Sequence, residues 1–202
     1  MSAILSDERH LRLGPDSCGA LLTPAEFDAA DYEEGWRYEL IHGVLVVSPA
    51  PRRKERDPNE ELGHWLRTYA ERHPQGRALD ATFYEETVFT STERRRADRV
   101  IYAGLGRQPQ AGETPTIVVE FVSAGKRNLT RDYEEKRDEY LAIGVAEYWV
   151  IDRFARCLTV YRLQGSIAAE HIVREGAVYT TPLLPGFQLQ LDKLLARADL
   201  WD

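Results

Sequence analysis

The apolar positions of this chain follow two periods, and the change from one to the other marks its central stretch. From Thr116 to Ser123 it reads Thr-Ile-Val-Val-Glu-Phe-Val-Ser, a β-branched run opened by Pro115, which predicts a strand. Alternate side chains of a strand share a face, so Glu120 points with Val118 and Val122. From Asp132 to Gly144 the spacing becomes helical: Tyr133, Tyr140, Leu141 and Ile143 form an inward stripe, Asp132 suits the first turn and Gly144 the position past the last. Lys136 follows Tyr133 by three residues and precedes Tyr140 by four, which puts it on the same stripe. Glu147 to Asp152 is a second apolar strand.

The same reading extends to the rest of the chain. Residues 1–20 are polar and predict a loose arm. Thr23-Pro24-Ala25-Glu26 is a capping-box helix start. Trp36 to Ser48 predicts a hairpin turning at His42-Gly43, with Glu39 inside its otherwise apolar first strand. Asp57-Pro58-Asn59-Glu60 opens a helix carrying Leu62, Trp65, Leu66 and Tyr69 and ending near His73-Pro74. Leu79 to Thr90 is extended, and Val100–Tyr102 is a short strand with Asp98 at its mouth, after Arg94, Arg95 and Arg96. Leu158 to Leu163 alternates and should pair back onto Glu147–Ile151, followed by a meander and a terminal helix through Leu195. The pattern predicts a single α+β domain over residues 21–202, with a mixed, mostly antiparallel sheet flanked by helices.

Composition narrows the classes. At 202 residues and 43% hydrophobic, the chain can bury a sizeable core. A net charge of −7 argues against a sequence-blind coat for nucleic acid, though not against an enzyme that touches it through a local patch. Cys18 and Cys157 are far apart and offer neither a zinc site nor a CxxC motif. No apolar run approaches the ~20 residues of a membrane span, and no signal peptide is legible, so the cytoplasm is the expected address.

Glu120, buried in so apolar a strand, requires a partner or a metal. Lys136 from the following helix is the candidate partner. Asp98 and Glu120 on neighbouring strands supply the hard oxygen ligands that Mg²⁺ favours. Read alone, Glu120–Lys136 is a structural ion pair before it is a catalytic couple. Ser123, His42 and Asp152 lack a nucleophile elbow, and Gly104-Leu-Gly106 lacks the rest of a dinucleotide fingerprint.

The segments Tyr38-Glu39-Leu40-Ile41-His42-Gly43, Ala97-Asp98, Val119-Glu120-Phe121-Val122-Ser123, Arg131-Asp132 with Lys136 and Tyr140, and Gly144-Val145-Ala146-Glu147-Tyr148-Trp149 together resemble the Uma-two family of bacterial endonuclease-like proteins, within the PD-(D/E)XK superfamily. The resemblance runs from about Leu22 to Leu195. It implies a restriction-endonuclease-like core and phosphodiester hydrolysis in DNA with Mg²⁺, for which Mn²⁺ can substitute. By position it makes Asp98 and Glu120 metal ligands, Glu39 the hairpin glutamate of the catalytic set, and Lys136 the catalytic lysine that assists the attacking water, because Val122 stands where the superfamily motif has its lysine. Arg94, Arg95, Arg96, Lys126 and Arg127 are the cations expected to meet nucleic acid. The competing expectation is a catalytically silent member of the fold that binds nucleic acid or serves as a dimeric module; a homodimer stays open under both.

Overall fold

The computed structural model describes residues 11–124, 131–165 and 167–201, which group into two compact units: Met1–Ala50 with Ser91–Arg95, and Pro51–Thr90 with Arg96–Asp202. Among the described residues no helix is long and apolar enough to cross a membrane.

The first unit is built on the predicted hairpin. Strands β1 (Arg12–Leu13) and β2 (Asp31–Tyr32) pair in parallel, helix α1 (Pro24–Asp28) lies between them in sequence, and β3 (Trp36–Ile41) pairs antiparallel with β4 (Val44–Pro49). Thr23 and Glu26 form the reciprocal capping box: the Glu26 amide donates to Thr23 Oγ1 at 3.2 Å, and the Thr23 amide donates to Glu26 Oε2 at 2.7 Å. Both hairpin turn residues, His42 and Gly43, have positive φ, as a two-residue turn that follows strand twist requires. The first half of the expected loose arm lies outside the described residues. The second half is not loose: Leu13 is buried with Phe27, Leu40 and Leu45, an apolar anchor that a polar-looking segment concealed.

The second unit holds the main sheet. Its strands are β5 (Leu79–Phe89), β6 (Arg94–Ala103, entering from the first unit), β7 (Ile117–Phe121), β8 (Glu147–Asp152), β9 (Cys157–Gln164) and β10 (Ile167–Arg174). Spatial order is β10-β9-β8-β7-β6, with β5 also paired to β6. The β6–β7, β8–β9 and β9–β10 pairs are antiparallel, whereas β7 and β8 run parallel. A two-stranded ribbon of β11 (Val178–Tyr179) and β12 (Leu189–Gln190) stands apart.

Strand alternation sorts this unit into two apolar layers. Ile117, Val119, Phe121, Trp149 and Ile151 face helices α2 (Arg53–Arg72) and α4 (Leu191–Asp199). Val118, Val122, Tyr148 and Val150 face helix α3 (Lys136–Ala142) through Tyr140. Glu120 belongs by parity to the α3 side, as the sequence predicted.

Four boundaries differ from expectation. Helix α2 begins at Arg53, one turn before Asp57-Pro58, because Glu55 reaches back to accept from the Arg52 amide at 2.8 Å; Pro58 lies inside the helix. Strand β6 begins at Arg94 rather than near Val100, so Asp98 sits mid-strand. The chain ahead of α3 makes a π-type turn over Arg131–Glu135 before regular helix begins. Helix α4 runs to Asp199, past the predicted end at Leu195.

A buried arginine ties α2 to β6. Arg99 is 2% exposed, and its guanidinium donates to Asn59 Oδ1 at 2.7 Å, to the Asn59 carbonyl at 2.8 Å and to Thr82 Oγ1 at 3.1 Å. Asn59 Nδ2 in turn donates to the carbonyl of Asp98 at 2.7 Å, which fixes the backbone of that strand. Burial lowers the Arg99 pKa to about 10, and Arg67 adds to the shift. Gly63 makes room for this clasp: a Cβ there would lie 2.5 Å from Nη2 of Arg99 and 2.8 Å from its Cζ. Gly63→Ala gains about 1 kcal/mol of helix propensity but overpacks a pinned group at a cost of about 1–3 kcal/mol. The expected net is destabilisation, read as a lower denaturation midpoint; a more stable variant would show that the guanidinium yields easily.

Candidate active site

The backbone ladder between β6 and β7 covers Arg99↔Val119, Val100↔Val118 and Ile101↔Ile117 and stops there. One step further, Asp98 and Glu120 occupy the corresponding positions. At this end a side chain replaces the backbone acceptor: Asp98 Oδ2 takes the amide of Phe121 at 2.7 Å. Asp98 and Glu120 are 7% and 3% exposed.

Glu120 meets α3 directly. Lys136 Nζ donates to Glu120 Oε1 at 2.8 Å, and the Tyr140 hydroxyl donates to the same oxygen at 3.1 Å. Lys136 Nζ also lies 3.9 Å from Asp132 Oδ1, one helical turn back. Asp132 is almost fully buried, and its carbonyl accepts from the Tyr148 hydroxyl at 2.8 Å, which pins the π-type turn to β8. The sequence marked Asp132 as a first-turn acid and Tyr140 as core; the structure adds both to the site. Their spacing of four residues on either side of Lys136 was the available signal.

Lys136 lies between the Glu120 and Asp132 carboxylates, and Asp98 accepts from the Phe121 amide on the neighbouring strand. Burial pushes the Glu120 carboxyl up; the Lys136 charge opposes that shift, and the negative charges of Asp98 and Asp132 add to it. Burial also raises Tyr148 well above the ordinary phenol range. The carboxylate oxygens of Asp98 and Glu120 are the donor type that suits a hard divalent cation. Among the described residues no group of three or more His, Cys, Asp or Glu side chains is arranged to hold a metal, so any such ion would rest on two carboxylates completed by water or backbone oxygen.

The other predicted site residues lie elsewhere. Glu39 is buried in β3 of the first unit, opposite Val46. Arg94 and Arg95 are not solvated loop charges. They are strand residues, 8% and 0% exposed, and Arg94 donates through Nε and Nη2 to both oxygens of Asp28, each at 2.7 Å. Arg96 is half-buried with Glu85 3.7 Å away. Arg94 and Arg95 are therefore buried strand residues rather than exposed loop cations, and Lys126 and Arg127 lie outside the described residues. The consequence reverses the expectation for a surface cation: Arg94→Ala should destabilise the protein by about 2 kcal/mol, the scale of hydrogen bonds to charged groups. Urea denaturation checks this, and an unchanged midpoint would restore the view of Arg94 as a dispensable surface charge.

The fold places the protein among restriction-endonuclease-like α+β proteins. The chain belongs to the Uma2 family, whose description reads "Putative restriction endonuclease" and whose family model matches residues 24–192. Among solved structures it is similar to a "putative nuclease belonging to DUF820" from Anabaena variabilis, with a TM-score of 0.68 at 18% identity, covering 88% of this chain and 99% of that one. No curated protein matches it.

Proposed function

We propose that this protein is a metal-dependent nuclease that hydrolyses phosphodiester bonds in DNA. One observation carries the reading: Asp98 and Glu120 are buried side by side where the β6–β7 ladder ends, with the Lys136 ammonium 2.8 Å from Glu120. Mg²⁺, or Mn²⁺ in its place, would be held by Asp98 and Glu120; when bound it would polarise the phosphate and acidify a water.

The remaining work falls to the chain's own groups. Tyr140 and Lys136 fix one Glu120 oxygen and leave the carboxylate a single orientation. The Phe121 amide does the same for Asp98. Lys136, bonded to Glu120, is placed to orient an attacking water or to offset charge that builds on the phosphoryl oxygens. Asp132 faces the same ammonium from 3.9 Å, one helical turn back. Glu39 remains a proposed contributor on the family pattern alone.

Plasmid, single-stranded and branched DNA, with RNA alongside, should be incubated with the full chain in Mg²⁺, Mn²⁺ or EDTA. DNA cleavage that requires the divalent ion is the expected result. Binding to DNA without cleavage under every condition would replace the enzyme with a catalytically silent nucleic-acid-binding member of the fold.

A further inference from the structure

On the side of the sheet away from Glu120, the C-terminal half of α2 and the segment 186–193 bound a groove of about 390 Å³, within the range of small-molecule sites. Its charge is unusual for this chain. The net charge of the protein is −7, yet the groove is lined by Arg72, Lys193 and the His73 imidazole and by no carboxylate. Neither Arg72 nor Lys193 has an acidic partner among the described residues.

Arg72 in the last turn of α2 has an ordinary explanation as a cation at a helix C-terminus. Magnitude decides against that as the whole account. The helix end contributes only about half a negative charge, against two formal positive charges in the groove. An anion is the complement of what is left over.

The groove also presents rings and amides. Trp65 lines it, its indole fixed by Nε1 donating to Glu61 Oε1 at 2.7 Å. His73 is stacked on Tyr69 at 5.1 Å between centroids and is backed by Gly186, where any Cβ would overlap the imidazole. Gln188 and Gln190 each offer a donor and an acceptor in one side chain, the pairing that a nucleobase edge displays. Cations, a held indole and amides in one groove match a ligand with a phosphate at one end and a hydrogen-bonding aromatic ring at the other.

We propose that this groove binds a nucleoside 5′-monophosphate, the phosphate held by Arg72 and Lys193 and the base laid on Trp65 with its edge toward the glutamines. The proposal goes beyond the nuclease reading and uses none of the residues assigned to cleavage. Isothermal titration of the full chain in EDTA with nucleoside 5′-monophosphates, the parent nucleosides and inorganic phosphate tests it with no hydrolysis in play. Mononucleotides should bind, while nucleosides and inorganic phosphate bind at least tenfold more weakly. Arg72→Gln and Lys193→Glu, both at exposed positions, should each weaken mononucleotide binding at least tenfold, with the melting temperature of Lys193→Glu unchanged and that of Arg72→Gln lowered only by the lost helix-end interaction. No mononucleotide binding, equal binding of phosphate alone, or affinity that ignores both substitutions would overturn the proposal, whatever the outcome of the cleavage assay.

Discussion

An Asp98→Asn variant should fold like the wild type and fail to cleave DNA. The amide keeps an oxygen that can accept from the Phe121 amide, so the bond at the end of the β6–β7 ladder survives. What disappears is one of the negative charges that push the Glu120 carboxyl up. In EDTA the variant should therefore melt at or slightly above the wild-type temperature. Cleavage should fall by about a thousandfold, the scale on which removing one positioned electrostatic group acts. Wild-type cleavage with an unchanged Mg²⁺ requirement would remove Asp98 from the site.

Lys136→Met has the second large effect, and its sign depends on conditions. Lys136 is 2% exposed and, among the described residues, is the cation bonded to Glu120. Methionine fills the space and leaves Glu120 and Asp132 buried beside one another without it. Removing one partner of a buried pair costs about 3–5 kcal/mol, and that loss should appear in EDTA at neutral pH. The folded-state pKa of Glu120 lies above its ordinary value, so its protonation favours the fold at low pH and that help is lost as pH rises through the raised value. Without the lysine the shift grows, since Lys136 is what opposes it. The variant's deficit should thus be widest at neutral and alkaline pH and should close toward the ordinary carboxylate range. A bound divalent ion should restore most of the stability, while cleavage stays two to four orders of magnitude down. Cleavage at the wild-type rate would show that Lys136 is a structural counter-ion only.

Local periodicity made part of this site legible. Strand alternation put Glu120 on the α3 face, and the Tyr133–Tyr140 stripe put Lys136 opposite it; the 2.8 Å bond agrees with both. The π-type turn ahead of α3 did not spoil the reading because Lys136 and Tyr140 both lie in the regular helix that follows. The burial of Arg94 and Arg95 was not legible, for a physical reason. A cluster of cations in sequence usually means solvation, and only a partner far along the chain can make burial tolerable. Asp28, 66 residues from Arg94, is such a partner. Asn59 and Arg99, 40 residues apart, were hidden in the same way. Nothing local distinguishes a helix-surface asparagine from one that holds a strand.

The parallel pairing of β7 with β8 also sets an order of events in folding. Parallel neighbours cannot be joined by a tight turn, and here the chain from Val122 to Ala146 must close before Ile117↔Glu147 and its neighbours can form. In the unfolded chain, closing a loop of that length costs about 3 kcal/mol of chain entropy. The antiparallel β8–β9 pair, joined by a short turn through Asp152, has no such barrier and can form first. Glu120 precedes the slow connection on β7, and Lys136 lies within it, on the helix that must dock over that strand. Refolding of this protein should therefore regain most of its sheet signal before the ammonium meets the carboxylate.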